Sequence, residues 1–157
     1  MKKRILILGL GNDLLGDDGV GLVAARGLRE NISEDVEVVE SREAGLALLD
    51  FMEGRDRVLL LDAVSTGRHP PGTILEYAPE DFCRTPAPSP HFAGIPELFR
   101  LAEELELSFP REVRILAMEV EIRWTFREGL TDAAQKSLPG LMEKAGRILE
   151  GWRMASA

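Results

Sequence analysis

The sequence predicts an α/β fold: a three-layer sandwich in which a mainly parallel, five-stranded twisted sheet carries helices on both faces. Three observations predict it. Short runs of Ile, Leu and Val recur along the chain, and segments of helical periodicity alternate with them. The runs are apolar at successive positions, as strands covered on both sides require. Strands alternating with helices build crossover units, which set parallel neighbours into one sheet. At 157 residues with 45% apolar content, the chain has the size of one domain and enough apolar matter for one core. Residues 1–157 are therefore read as a single domain.

The first strand is Ile5-Leu6-Ile7-Leu8, an apolar run that ends in glycine. A basic start, Met1-Lys2-Lys3-Arg4, precedes it, but the apolar stretch is too short for the core of a signal peptide, so a cytoplasmic chain is expected. Val20, Val23, Ala24 and Leu28 recur at helical spacing. Val36 to Val39 is a β-branched second strand, and Gly45 to Met52 a short helix. Val58-Leu59-Leu60-Leu61 is a third buried strand, ending at Asp62. Thr73 to Tyr77 follows the turn Pro70-Pro71-Gly72. No long crossover precedes it, so it is expected as an antiparallel edge strand. Pro86, Pro88 and Pro90 exclude both helix interior and central strand. A helix then carries Ile95, Leu98, Leu101, Ala102 and Leu105 on one face, and Val113 to Met118 forms the fifth strand. The last helix, with Leu141, Ala145, Ile148, Leu149 and Trp152, runs to about Arg153. Pro139 sets its start near Ser137 or kinks it there.

Several function classes fall away on composition. The net charge of −8 argues against nucleic acid or an anionic membrane as partner. No run reaches the ~18 apolar residues of a membrane span. The single cysteine, Cys83, excludes an internal disulfide and a cysteine-rich metal site, and is read as a small buried apolar residue.

In open α/β sheets the functional crevice lies beyond the carboxyl ends of the strands. Asn12, Asp13, Asp17 and Asp18 follow strand one, Asp62 ends strand three, and His91 follows the proline loop. Asp18, Asp62 and His91 would form a mixed oxygen–nitrogen site suited to zinc, nickel, iron or manganese. Three protein ligands leave positions open for water or a substrate group. The competing readings are structural: Asp17 or Asp18 as first-turn acids of helix one, Asp62 as a turn cap, His91 as a solvated loop residue. Asn12 orients Asp17 or Asp18 by hydrogen bonding, or closes its own turn. His69, beside two prolines, has only a solvated role.

Other motifs fail. Gly9-Leu10-Gly11-Asn12-Asp13-Leu14 opens like a dinucleotide fingerprint, but Leu14 stands where the third glycine belongs, and Glu40 alone does not rescue it. No Gly-Lys-Ser/Thr phosphate loop, Gly-x-Ser-x-Gly elbow or His-Glu-x-x-His motif is present. A phospho-receiver domain would use the same acids, but wants a lysine after strand five, where the chain gives Glu119-Val120-Glu121.

The stretch Gly9 to Gly21, with Asn12 and the acid pair Asp17-Asp18, resembles the amino-terminal signature of hydrogenase maturation endopeptidases. Leu60-Leu61-Asp62-Ala63-Val64, Ser89-Pro90-His91 and Gly129-Leu130-Thr131 resemble three further landmarks of that family, in order and at comparable spacing. The resemblance implies metal contacts from Asp18, Asp62 and His91, with Asn12 and Asp17 in support and Asp18 or Asp62 as catalytic candidates. It implies a metal-dependent endopeptidase, a monomer, acting on the precursor of a NiFe hydrogenase large subunit. The nickel, or another divalent metal in its place, is supplied by that substrate, and a carboxy-terminal extension is removed. A non-proteolytic chaperone of the metal centre is the alternative, beside the receiver. One departure stands out: Ser41-Arg42-Glu43 precedes Ala44-Gly45 where the family has a Gly-Gly-Thr-type turn, which bears on the choice of hydrogenase. Trp124 and Phe126, among charged residues, read as a patch for the large subunit or as a strand extension.

Overall fold

The computed structural model describes residues 2–121 and 126–155. Its elements are β1 (Ile5–Leu10), α1 (Val20–Leu28), β2 (Val36–Ser41), α2 (Leu49–Met52), β3 (Arg57–Val64), β4 (Ile74–Tyr77), α3 (Ile95–Glu104), β5 (Glu112–Glu119) and α4 (Asp132–Ala155). The sheet order is β2-β1-β3-β5-β4. All neighbours are parallel except β4, which runs antiparallel to β5 at the edge, as the missing crossover requires.

The two faces separate by strand alternation. Leu59, Leu61 and Ala63 of β3 join Val20 and Ala24 of α1 and Leu141, Ala145 and Ile148 of α4 in one core. Val58, Leu60 and Val64 join Leu48 and Met52 of the α2 segment, Phe92, and Ile95 and Leu98 of α3 in the other. Helices thus cover both faces, with every residue of β1 and β3 buried. Fully burying one such leucine stabilises the fold by about 1.5–3 kcal/mol.

β3 outlasts its neighbour. Its pairing with β1 stops at Gly9 opposite Leu61, whereas its pairing with β5 continues through Asp62 to Val64. Asp62 therefore lies inside the strand and not at its end, because β5 carries the ladder onward. The last helix does not take the first of its two expected forms, a start near Ser137. It begins at Asp132 and passes through Pro139. The Thr131 hydroxyl accepts the Ala134 N–H at 3.3 Å, the bond of an N-cap, and Ala134 is buried. Those contacts hold helical the turns ahead of the proline.

Glycines explain the motif around β1. Gly21 lies so close to β3 that a Cβ there would sit 2.3 Å from the Leu61 carbonyl oxygen. At Gly11, φ is +141° and a Cβ would fall 2.1 Å from the Asp18 carbonyl oxygen. The glycine-rich run serves close packing of loop and helix, not a pyrophosphate. Glu40 is likewise engaged by Arg26 at 2.6 Å and Arg29 at 3.3 Å. Cys83, expected to be buried, is exposed and free, following a 3-10 turn at Pro79–Phe82. Phe126 is 86% exposed and lies beyond β5, which ends at Glu119, so its side chain is not on the core; Trp124 lies outside the described residues. No helix among the described residues is long and apolar enough to cross a membrane.

Candidate active site

Two of the three residues singled out in the sequence meet directly. Asp62 falls on the α2–α3 face of β3, in line with Val58, Leu60 and Val64, and is fully buried. An ionised carboxylate in such a place needs donors. Its Oδ1 accepts the Ala63 N–H at 2.7 Å; its Oδ2 accepts the Ser89 hydroxyl at 2.7 Å and faces His91 Nδ1 at 2.8 Å. The histidine arrives on the turn ahead of α3, where the Phe92 N–H donates to the Ser89 carbonyl at 3.1 Å and the Phe92 ring is buried beneath.

Asp18 approaches from the other side. It sits in the 3-10 turn Gly16–Gly19 that leads into α1, half-buried, with Oδ2 accepting the Asn12 N–H at 2.9 Å. Asn12 thus holds Asp18 through its backbone, while its side chain accepts the Leu14 N–H at 3.1 Å and closes its own turn. Both readings of Asn12 hold, on different atoms. Asp17 serves elsewhere. It is 6% exposed, and its carboxylate accepts the Thr131 N–H at 2.8 Å and the Thr131 hydroxyl at 2.7 Å, pinning the acidic turn to the start of α4. Neither acid caps α1.

The electrostatics tie the three together. Burial raises Asp62 above the ordinary carboxylate range, against its bonds from His91, Ser89 and Ala63. Burial also raises Asp18, against the charge of His91 and the Asn12 N–H. For His91, burial disfavours the charged ring, but the bond to Asp62, the Asp62 charge and the Asp18 charge outweigh it. The net direction is upward. Asp18 is therefore within electrostatic reach of His91, although among the described residues no three His, Cys, Asp or Glu side chains already stand together as a metal cage.

The rim continues on both sides. Arg42, from the departing Ser41-Arg42-Glu43 turn, pairs with Asp13 at 3.1 Å and so ties the loop after β2 to the loop after β1. Beyond Asp17, a cleft of about 360 Å³ is lined by Leu15, Pro71, Glu121, Arg127 and Thr131. His69 is exposed, as expected. The reading of the sequence missed two residues as individuals, Ser89 and Thr131. A serine two positions before a histidine in a proline loop is the local signal for the first; a threonine just ahead of an acid-led helix is the signal for the second.

Comparison with known proteins places the chain in a family. The chain is 31% identical over 121 residues to the hydrogenase 2 maturation protease of Escherichia coli, covering 73% of this chain and 72% of that one. It is 27% identical over 157 residues to the hydrogenase expression/formation protein HupD of Rhizobium leguminosarum, covering 97% and 77%. Among solved structures, the hydrogenase maturating endopeptidase HybD of E. coli superposes with a TM-score of 0.76 at 25% identity, over 94% of this chain and 93% of that one. The NiFe hydrogenase maturation protease HybD of Thermococcus kodakarensis gives 0.70 at 25% identity, over 92% and 98%. The profile of one family matches residues 23–148, most of the chain and with it the strand of Asp62, the turn of His91 and the cap of α4: the chain belongs to the hydrogenase maturation protease family.

Proposed function

We propose that this peptidase removes a carboxy-terminal extension from the nickel-loaded precursor of a NiFe hydrogenase large subunit, and that Asp18 and His91 meet the bound nickel while Asp62, which the sequence offered as a third ligand, stands behind the histidine. The observation that carries the reading is the buried Asp62–His91 pair, held at 2.8 Å at the sheet rim with Asp18 in electrostatic reach. Imidazole and carboxylate suit nickel(II), or another divalent ion of similar preference, and the ion arrives as part of the substrate.

In this scheme the substrate's metal polarises the scissile carbonyl or acidifies a bound water. The chain's own residues do the rest. A neutral His91 offers a ring nitrogen, and Asp62 fixes the ring, as an acid behind a metal-facing histidine does. Both Asp62 oxygens are engaged, whereas Asp18 Oδ1 has no hydrogen-bond partner among the described residues. Asp18 is thus the carboxylate open to the ion or to a water whose proton it takes. The cleft beside Asp17 gives an extended peptide a place to lie. A cytoplasmic monomer suits a chain whose one cysteine is a free thiol, and light scattering of the purified protein tests the monomer.

The receiver reading loses support. Its sheet order would be 2-1-3-4-5, whereas here β5 lies inside and β4 at the edge, and the acid that would take phosphate is wholly buried. Incubating the protein with nickel-loaded precursor and weighing the product by mass spectrometry tests the proposal. The expected result is a shortened large subunit, absent with nickel-free precursor and absent with the folded His91→Ala variant. Binding without shortening would favour the chaperone; normal cleavage by the variant would remove His91 from the site.

A further inference from the structure

Ser89 stands between the two halves of the pair. It is 4% exposed, in a proline loop where polar side chains ordinarily face water. Every hydrogen-bonding capacity of its hydroxyl is directed at the site. Oγ donates to Asp62 Oδ2 at 2.7 Å, accepts the His91 backbone N–H at 3.2 Å, and lies 3.1 Å from His91 Nδ1. An ionised carboxylate only accepts, so the one hydroxyl proton is committed to Asp62. Ser89 Oγ and Asp62 Oδ2 then both present lone pairs to Nδ1, at 3.1 and 2.8 Å. A bare Nδ1 would set its own lone pair against two others; a proton on Nδ1 satisfies both.

From this geometry we infer that Ser89 is a positioning residue for the reaction. Its hydroxyl joins Asp62 in holding the His91 ring in one rotamer and in the Nδ1–H tautomer, leaving Nε2 as the nitrogen offered to the substrate. Without the hydroxyl, Asp62 Oδ2 loses one of its two side-chain donors and the turn loses its serine-to-backbone bond, so the ring gains freedom both to rotate and to exchange tautomers. The inference rests on the reading of Asp62 and His91 as the working pair.

Two substitutions test it. Ser89→Ala removes the hydroxyl and Ser89→Thr keeps one. Ring-nitrogen chemical shifts, read by 15N NMR on the full-length protein without substrate, report the tautomer directly. His69 is the only other histidine, so the His91→Ala spectrum assigns the signals by difference. Above the ring's own titration, the wild type and Ser89→Thr are expected to show a protonated Nδ1 and a bare Nε2, and Ser89→Ala shifts displaced toward the other tautomer, because Asp62 then holds Nδ1–H alone. On nickel-loaded precursor, Ser89→Ala should lower kcat about tenfold or more, the scale for losing a partner behind a metal-facing histidine, with KM unchanged and Ser89→Thr largely recovered. A wild-type tautomer pattern in Ser89→Ala, or full turnover by it, overturns the inference. If the alanine variant does not fold, Ser89→Cys, a weak donor of similar size, replaces it with the same expectations. If the wild type cleaves no precursor, the proposed function fails, and the NMR comparison still decides the role of Ser89.

Discussion

Replacing Asp17 by alanine should cost stability out of proportion to one surface-loop residue. Its carboxylate is buried and accepts two bonds from Thr131, across 114 residues of sequence. Bonds to a charged acceptor contribute about 1.5–3 kcal/mol each when both partners leave water. Thr131 is only half-buried, so water replaces part of what is lost once the carboxylate is gone. The net cost works out at about 2–4 kcal/mol, a large share of the roughly 5–15 kcal/mol that holds a domain together. For a chain of this length that lowers the unfolding midpoint by about 5–15 °C. Urea and thermal unfolding of Asp17→Ala measure it. Thr131→Val, which keeps the N–H and loses the hydroxyl, completes a double-mutant cycle with an expected coupling of about 1–2 kcal/mol. A loss below about 0.5 kcal/mol, or strictly additive variants, would refute the latch between the acidic turn and α4.

Three further outcomes follow from the same geometry. Precursor processing should fall as pH drops and His91 takes up a second ring proton, because a protonated nitrogen offers no lone pair. Since Asp62 and Asp18 raise His91, the midpoint of the pH–rate profile should lie above the ordinary histidine value of about 6.5, and a midpoint below it would contradict the assignment. Asp18→Asn removes one of the charges that raise His91, so an NMR titration of the ring should move to lower pH; an unmoved titration would separate Asp18 from the site. Gly21→Ala drives a methyl into the Leu61 and Leu10 carbonyls, at 2.3 and 2.6 Å, and should destabilise the fold by about 3 kcal/mol or more in thermal unfolding; a loss under 1 kcal/mol would show that α1 moves freely off the sheet.

The fold was legible because its signals are local. Continuous apolar runs marked β1 and β3, and the absence of a crossover before Ile74 marked β4 as the antiparallel edge. The nearness of the three candidate residues was legible because the carboxyl ends of parallel strands face one crevice, so Asp18, Asp62 and the turn of His91 had few other places to go. What sequence reading missed was set by tertiary partners. Pro139 left open a late helix start or a helix running through it, and only the pairing of Thr131 with Asp17, together with the burial of Ala134, decides for the early start. Asp62 read as the end of a strand because the apolar run stops there; β5 keeps the ladder going to Val64. Cys83 read as buried from residue type alone, whereas its exposure follows from a turn between prolines. Ser89 passed as part of a motif, since its role needs the approach of a strand 27 residues earlier.

The unequal lengths of β1 and β3 have a consequence for how such a centre could arise or be transplanted. Past Leu61 the third strand has a neighbour on one flank only, and the Ala63 N–H turns to the Asp62 carboxylate instead of to a partner strand. The missing rungs leave a notch in the ladder on the side of the first strand. An acid grafted onto an evenly trimmed sheet would find that N–H already bonded to a neighbouring strand. Shaping the notch, more than choosing its residues, is the step a designer would have to copy.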